Sequence, residues 1–165
     1  MTRPPLRIAL PSAEATAALG AWLAPRLAAG DVVLMSGPIG AGKTHLARSL
    51  IQTRLASAGL MEDVPSPTFT LVQVYEAAGV EIWHADLYRL THPDEVLELG
   101  LEAAFDTAVC LVEWPDRLGR ATPPDALTIT LASADDGDSR VASLTGSDRW
   151  APLLQALATR EGALA

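Results

Sequence analysis

The alternation of Leu6-Arg7-Ile8-Ala9-Leu10 predicts a short strand at the start of the chain. Pro11-Ser12 then opens a helix that Ser12 caps ahead of Glu14, with Ala17, Leu19, Trp22, Leu23 and Leu27 as its apolar stripe and Gly30 as its stop. That stripe puts Trp22 in the core. Asp31 to Ser36 is apolar enough for a second strand, and Thr44 to Ser57 shows the helical period, burying Leu46, Leu50 and Leu55 before Gly59 ends it. Two prolines make Pro65-Ser66-Pro67-Thr68 a stiff loop, because they remove donors and hold their predecessors extended. Phe69 to Tyr75 and Val80 to Asp86 are strands joined by the turn Ala78-Gly79, an antiparallel hairpin.

Thr91, Pro93, Asp94 and Glu95 carry the signals of a helix start, and this short helix stops at Gly100, with Leu101 to Phe105 adding a turn or two. Ala108 to Glu113 is a continuous apolar run closed by an acid, the form of a strand covered on both faces, and Trp114-Pro115 breaks it. Leu127 to Leu131 and Arg140 to Leu144 flank the turn-rich stretch from Ser133 to Ser139 as a second hairpin. A last helix from Asp148 packs Trp150, Leu153, Leu154 and Leu157.

One loop in this series carries legible chemistry. Gly37-Pro38-Ile39-Gly40-Ala41-Gly42-Lys43-Thr44 is a glycine, four residues, then Gly-Lys-Thr, set between a strand and a helix. Glycines there let successive N–H groups of Ile39, Gly40, Ala41, Gly42, Lys43 and Thr44 turn inward on polyphosphate oxygens, and the new helix adds its positive dipole end. Lys43 is placed to reach the β- and γ-phosphates, and the Thr44 hydroxyl to sit on Mg²⁺. Pro38 does not interfere, since the cradling amides come later. With this loop, the elements predict an α/β fold: a P-loop NTPase-like, three-layer α/β/α arrangement whose mixed central sheet contains antiparallel hairpins.

Composition narrows the setting. A chain of 165 residues with 49% hydrophobic and 19% charged residues suits one domain spanning 1–165 and is not that of a disordered protein. No apolar run approaches about eighteen residues, and Met1-Thr2-Arg3-Pro4-Pro5 lacks the build of a signal peptide, so a cytoplasmic protein with no membrane association is expected. The single cysteine, Cys110, lies within an apolar run and is expected to be a small buried hydrophobe. A formal net charge of -8 opposes autonomous binding to a polyanion, so any nucleic acid would be held by another protein.

Hydrolysis of a nucleotide needs a carboxylate for Mg²⁺ or its waters and a way to orient a water. Glu113 follows four apolar residues in the manner of a Walker B strand, and Asp86 ends the strand Ile82-Trp83-His84-Ala85. Ligands bind beyond the carboxyl ends of such strands, although on the residues alone either acid could equally be a solvated one at a sheet edge. Thr68 stands in the stiff loop where P-loop proteins usually carry a switch, or is a plain turn hydroxyl. His45, His84 and His92 have no metal-binding spacing and are expected to be surface or packing residues. No Asn-Lys-x-Asp sequence occurs, which favours ATP over GTP.

Four blocks together carry a resemblance. Gly37 to Thr44, Ser66-Pro67-Thr68-Phe69-Thr70-Leu71-Val72, His84-Ala85-Asp86-Leu87-Tyr88-Arg89-Leu90 and Val112-Glu113-Trp114-Pro115 resemble, in order and approximate spacing, the TsaE (YjeE) family of P-loop ATPases. The resemblance implies ATP and Mg²⁺ as ligands and a role in threonylcarbamoylation of adenosine 37 in tRNAs that read ANN codons. TsaD and TsaB would be the partners, and tRNA would be met only through them. By the same resemblance Thr44 and Glu113 look like Mg²⁺ ligands, Asp86 like a Walker B-type acid on the metal, and Thr68 like part of the switch; Lys43, Asp86, Glu113 and Thr68 make up the catalytic set. Trp114 and Tyr88 shape the site or a partner surface, or are core residues. Two positions depart from the family pattern: Pro38 stands where Asp is usual, and His45 where a second Thr is usual. Both bear on loop flexibility and turnover more than on nucleotide binding. A small-molecule P-loop kinase with Arg117 and Arg120 on a lid, and a non-hydrolysing nucleotide switch, are the competing expectations.

Overall fold

A computed structural model describes residues 4–92, 94–134 and 139–164. Met1, Thr2, Arg3, Pro93 of the expected helix start and the tip 135–138 of the expected second hairpin lie outside the described residues. Seven strands form one sheet: β1 Leu6–Leu10, β2 Val32–Ser36, β3 Val72–Ala77, β4 Val80–Asp86, β5 Val109–Glu113, β6 Leu127–Ser133 and β7 Arg140–Thr145. The helices are α1 Ala13–Leu23, α2 Lys43–Ser57, α3 Asp94–Glu98, α4 Leu101–Thr107 and α5 Ala151–Leu164.

In space the strands run β1-β7-β6-β2-β5-β4-β3. The four central strands β6, β2, β5 and β4 are parallel, and the antiparallel pairs β3–β4, β6–β7 and β1–β7 lie outside them. This is the expected mixed sheet with both expected hairpins. Period-two alternation along β2 splits the core: Val33 and Met35 pack on one face with α1, α2 and α5, while Val32 and Leu34 pack on the other with α3 and α4. All five residues of β5 are buried, as a strand covered on both faces requires. Cys110 sits there, fully buried, and desolvation pushes its thiol up to about 12.

Ser12 caps α1 by accepting from the Ala15 N–H at 3.2 Å. The helix crosses α2 closely at Gly20, where a Cβ would lie 2.8 Å from the Leu46 carbonyl oxygen. Ser49 donates to the Ala17 carbonyl at 2.5 Å across the same contact. Trp22 is only half-buried; it packs on the core edge and carries the Arg26 guanidinium 3.9 Å from its ring centre. The helix ends at Leu23 and a 3-10 turn follows, so Leu27 joins the core from extended chain rather than from the helical stripe.

The strand expected over Phe69 to Tyr75 begins only at Val72. Pro67 to Thr70 form a turn closed by the Leu71 N–H on the Pro67 carbonyl at 2.7 Å. Leu71 leaves it at φ 68°, which no extended strand accommodates, and Phe69 is left 83% exposed. The expected final helix starts with a 3-10 turn at Asp148–Trp150 and becomes α5 at Ala151. Among the described residues, no helix is long and apolar enough to cross a membrane.

Candidate functional site

The register of the parallel strands sets three ends side by side: Met35 pairs with Glu113, and Glu113 with Asp86. Each is the carboxyl end of its strand, the edge where α/β sheets bind ligands. The loop from β2 rises from this edge and enters α2 at Lys43. Gly37 holds φ 145°, and a Cβ there would meet the Leu131 carbonyl oxygen at 2.5 Å, so the loop packs directly on β6. Gly42, at φ 102°, takes the left-handed turn into the helix.

Gly40 to His45, Arg48 and Glu113 line a cleft of about 320 Å³. The first N–H groups of α2 have no intrahelical acceptor, so they and the helix dipole make this a place for an anion. A larger hollow of about 540 Å³ lies between β1, α1 and α5, but its walls are mostly apolar, and of its three charged residues Arg160 and Glu161 pair with each other, leaving Arg7 on the exposed edge of β1. The chemistry concentrates in the smaller cleft.

The Thr44 hydroxyl donates to the Glu113 carboxylate, lying 2.8 and 3.0 Å from its two oxygens. Glu113 is almost wholly buried, and its Oε2 also accepts from His84 Nε2 at 2.6 Å. His84 is therefore not an ordinary surface or packing residue. It is fully buried, it holds the acid at the head of α2, and its Nδ1 has no hydrogen-bond partner among the described residues. Sequence spacing hides this contact because the two residues are 29 positions apart. The available signal was the period of two, which puts His84 on the same face of β4 as Asp86.

Lys43 is buried, and its ammonium donates to the carbonyls of Gly37 at 2.5 Å and Pro38 at 2.9 Å. It also lies 4.1 Å from the centre of the Trp114 ring. Desolvation pulls its pKa below the ordinary value, against Glu113 and Asp86, which both raise it. Trp114 takes up φ 58°, a left-handed conformation that turns the ring out of β5 over the lysine. Tyr88 packs against it at 4.8 Å between centroids and is 43% exposed. Both aromatics thus belong to the rim of the site.

Asp86 is buried and satisfied locally. It accepts from the Thr68 hydroxyl at 3.3 Å and from the Tyr88 N–H at 3.0 Å, while Ser66 donates to Thr68 at 2.7 Å. The Asp86 N–H donates to the Leu71 carbonyl at 2.9 Å, so the stiff loop is tied to the end of β4 at two points. The expected residues therefore form two neighbouring groups, Lys43, Thr44 and Glu113 on one side and Thr68 with Asp86 on the other. Ile39, at the loop tip, is 73% exposed and is not among the residues that line the cleft. His45 donates from Nε2 to the Ala13 carbonyl at 2.9 Å, which ties α2 to the start of α1. Arg117, one of the two lid candidates, is exposed and contacts the Tyr88 carbonyl at 3.5 Å.

These donors fit a small hard cation beside a polyphosphate. Mg²⁺ keeps several waters and takes one or two carboxylates plus phosphate oxygens, rather than an all-protein cage. Among the described residues no group of three or more His, Cys, Asp or Glu forms such a cage, whereas a hydroxyl and a carboxylate stand together at the helix head.

Comparison with known proteins gives the chain's family. The chain is 38% identical over 127 residues to the tRNA threonylcarbamoyladenosine biosynthesis protein TsaE of Rickettsia conorii, covering 77% of this chain and 71% of that protein. It is 34% identical over 131 residues to the protein of the same description from Treponema pallidum, covering 79% and 93%. The crystal structure of Bacillus subtilus YdiB superposes with a TM-score of 0.76 at 27% identity, over 97% of each chain. Residues 10–142, which hold the loop, both acids and the stiff turn, match the threonylcarbamoyl adenosine biosynthesis protein TsaE, and the chain belongs to that family, whose members act in tRNA threonylcarbamoyladenosine biosynthesis.

Proposed function

We propose that this protein binds ATP with Mg²⁺ in the cleft at the head of α2 and hydrolyses it as the ATPase of tRNA threonylcarbamoylation at adenosine 37. TsaD and TsaB are its partners, and tRNA is met only through them, in keeping with the net charge of -8. The observation that carries this reading is the Thr44 hydroxyl against the Glu113 carboxylate, at the point where the glycine loop enters the helix.

The residues divide the work. Backbone N–H groups from Gly40 to Thr44 bind the phosphates. Lys43 would exchange its two carbonyl contacts for the β- and γ-phosphate oxygens, which carry more charge and make stronger partners for its ammonium. Thr44 and Glu113, with Asp86 beyond them, would hold Mg²⁺ or its waters, and a bound ion would supply positive charge against the transferred phosphoryl group. Thr68, held by Asp86, keeps the stiff loop at the open side of the cleft. Turnover by the isolated protein is slow, because the partner completes the orientation of the attacking water.

The test is the ATPase rate with and without TsaB and TsaD, for the wild type and for Lys43→Ala, Thr44→Ala and Glu113→Ala. Partner stimulation is expected in the wild type, with a fall of about a hundredfold or more in each variant. Full partner-dependent turnover in Lys43→Ala would show that the loop is not the reaction centre. Acceptor-dependent phosphate transfer without any protein partner would favour a kinase instead.

A further inference from the structure

Arg140 opens β7 and reaches the glycine loop from a hundred residues away. Its Nη2 donates to the Gly40 carbonyl at 3.1 Å and its Nε to the Ala41 carbonyl at 3.2 Å, so one edge of the guanidinium grips two consecutive carbonyls. Its Nη1 donates to the Ser139 carbonyl at 3.0 Å. The base of the side chain is fixed, since Arg140 is paired with Leu10 of β1 on one side and Ser133 of β6 on the other. Arg140 is not among the residues that line the cleft, and its contacts to the loop go to backbone carbonyls.

The peptide bond gives this grip a consequence. In a trans peptide the carbonyl and the following N–H point to opposite sides. Fixing the Gly40 and Ala41 carbonyls on the guanidinium therefore turns the N–H groups of Ala41 and Gly42 away from it. The Ala41 N–H points to the Pro38 carbonyl at 3.1 Å. We propose that Arg140 is a positioning residue that presets the backbone of the phosphate-binding loop by holding its Gly40 and Ala41 carbonyls, so that polyphosphate meets a loop already in shape. The inference rests on the nucleotide-binding reading above. It differs from a direct role on phosphate, because the guanidinium donates to loop carbonyls.

The fork geometry makes the test specific. Arg140→Lys keeps the charge but offers a point donor in place of the two-pronged edge, and Arg140→Ala removes both contacts. ADP, pyrophosphate and adenosine binding are measured by calorimetry on the full chain. Amide hydrogen exchange of residues 40–43 is followed without nucleotide, and thermal unfolding confirms that each variant is folded. In both variants exchange at Ala41 and Gly42 rises, and affinity for ADP and pyrophosphate falls about tenfold, with any weak adenosine binding unchanged. Wild-type exchange and wild-type ADP affinity in Arg140→Ala would overturn the proposal while leaving the nucleotide site intact. Full recovery in Arg140→Lys would also overturn it, since charge alone would then suffice. A wild-type protein that binds neither ADP nor pyrophosphate would instead refute the nucleotide-binding reading, and this proposal with it.

Discussion

Replacing His84 tests whether the acid at the helix head is held or merely present. In His84→Leu the side chain keeps a similar bulk but loses the Nε2–H that lies 2.6 Å from Glu113 Oε2. Stripping a buried charge of its only partner costs about 3–5 kcal/mol. Here the Thr44 hydroxyl remains within 3.0 Å of both carboxylate oxygens, so the charge is not left bare. The loss is therefore that of one hydrogen bond to a charged group, about 1.5–3 kcal/mol. For a chain of this length that is about 2–4 °C per kcal/mol, hence a fall in Tm of about 3–12 °C. His84→Gln, whose amide nitrogen can approach the place of Nε2, should recover most of this. Calorimetric unfolding of the three proteins, with urea midpoints as a second measure, decides the matter. A His84→Leu protein that unfolds with the wild type, or a Gln variant as damaged as the Leu variant, would refute the argument that this bond anchors Glu113.

Two further outcomes follow from the loop. Gly37→Ala forces a Cβ to 2.5 Å from a backbone oxygen of β6 at φ 145°, and is expected to cost about 2 kcal/mol or more in urea-unfolding free energy; a neutral substitution would mean that the loop does not rest on Leu131 as described. The Lys43 ammonium is held below its ordinary 10.5 by desolvation, so as the pH climbs towards that value the folded state sheds its proton before the unfolded chain does. Stability contributed by this group consequently rises with pH on the alkaline side below its ordinary 10.5, and Lys43→Met should flatten that rise. Identical pH profiles for the two proteins would contradict the assignment.

Much of the fold is legible in the sequence because its signals are local. Continuous apolar runs mark the buried central strands, turn residues mark both hairpins, and the loop from Gly37 to Thr44 declares its chemistry by spacing alone. What escaped is non-local or depends on one dihedral. Phe69 has the propensity of a strand residue, yet the closed turn from Pro67 and the positive φ of Leu71 keep it out of the sheet. His84 and Arg140 each look ordinary in their own strand. Their partners, Glu113 and the Gly40–Ala41 backbone, come to them only through pairing of the sheet. The same distance explains why Thr44 and Glu113, 69 residues apart, can be named separately from sequence but joined only in space.

The pairing of Asp86 with Glu113 and of Glu113 with Met35 has a bearing on how this protein fails. Side chains alternate across a strand, so a slip of one residue in β5 would carry Glu113 to the opposite face, among α3 and α4, and bring apolar Val112 beneath Thr44. No half-assembled centre exists between those two registers. A molecule caught in the slipped register is then silent rather than weakened, so where damage acts through β5 pairing the remaining signal counts correctly paired molecules.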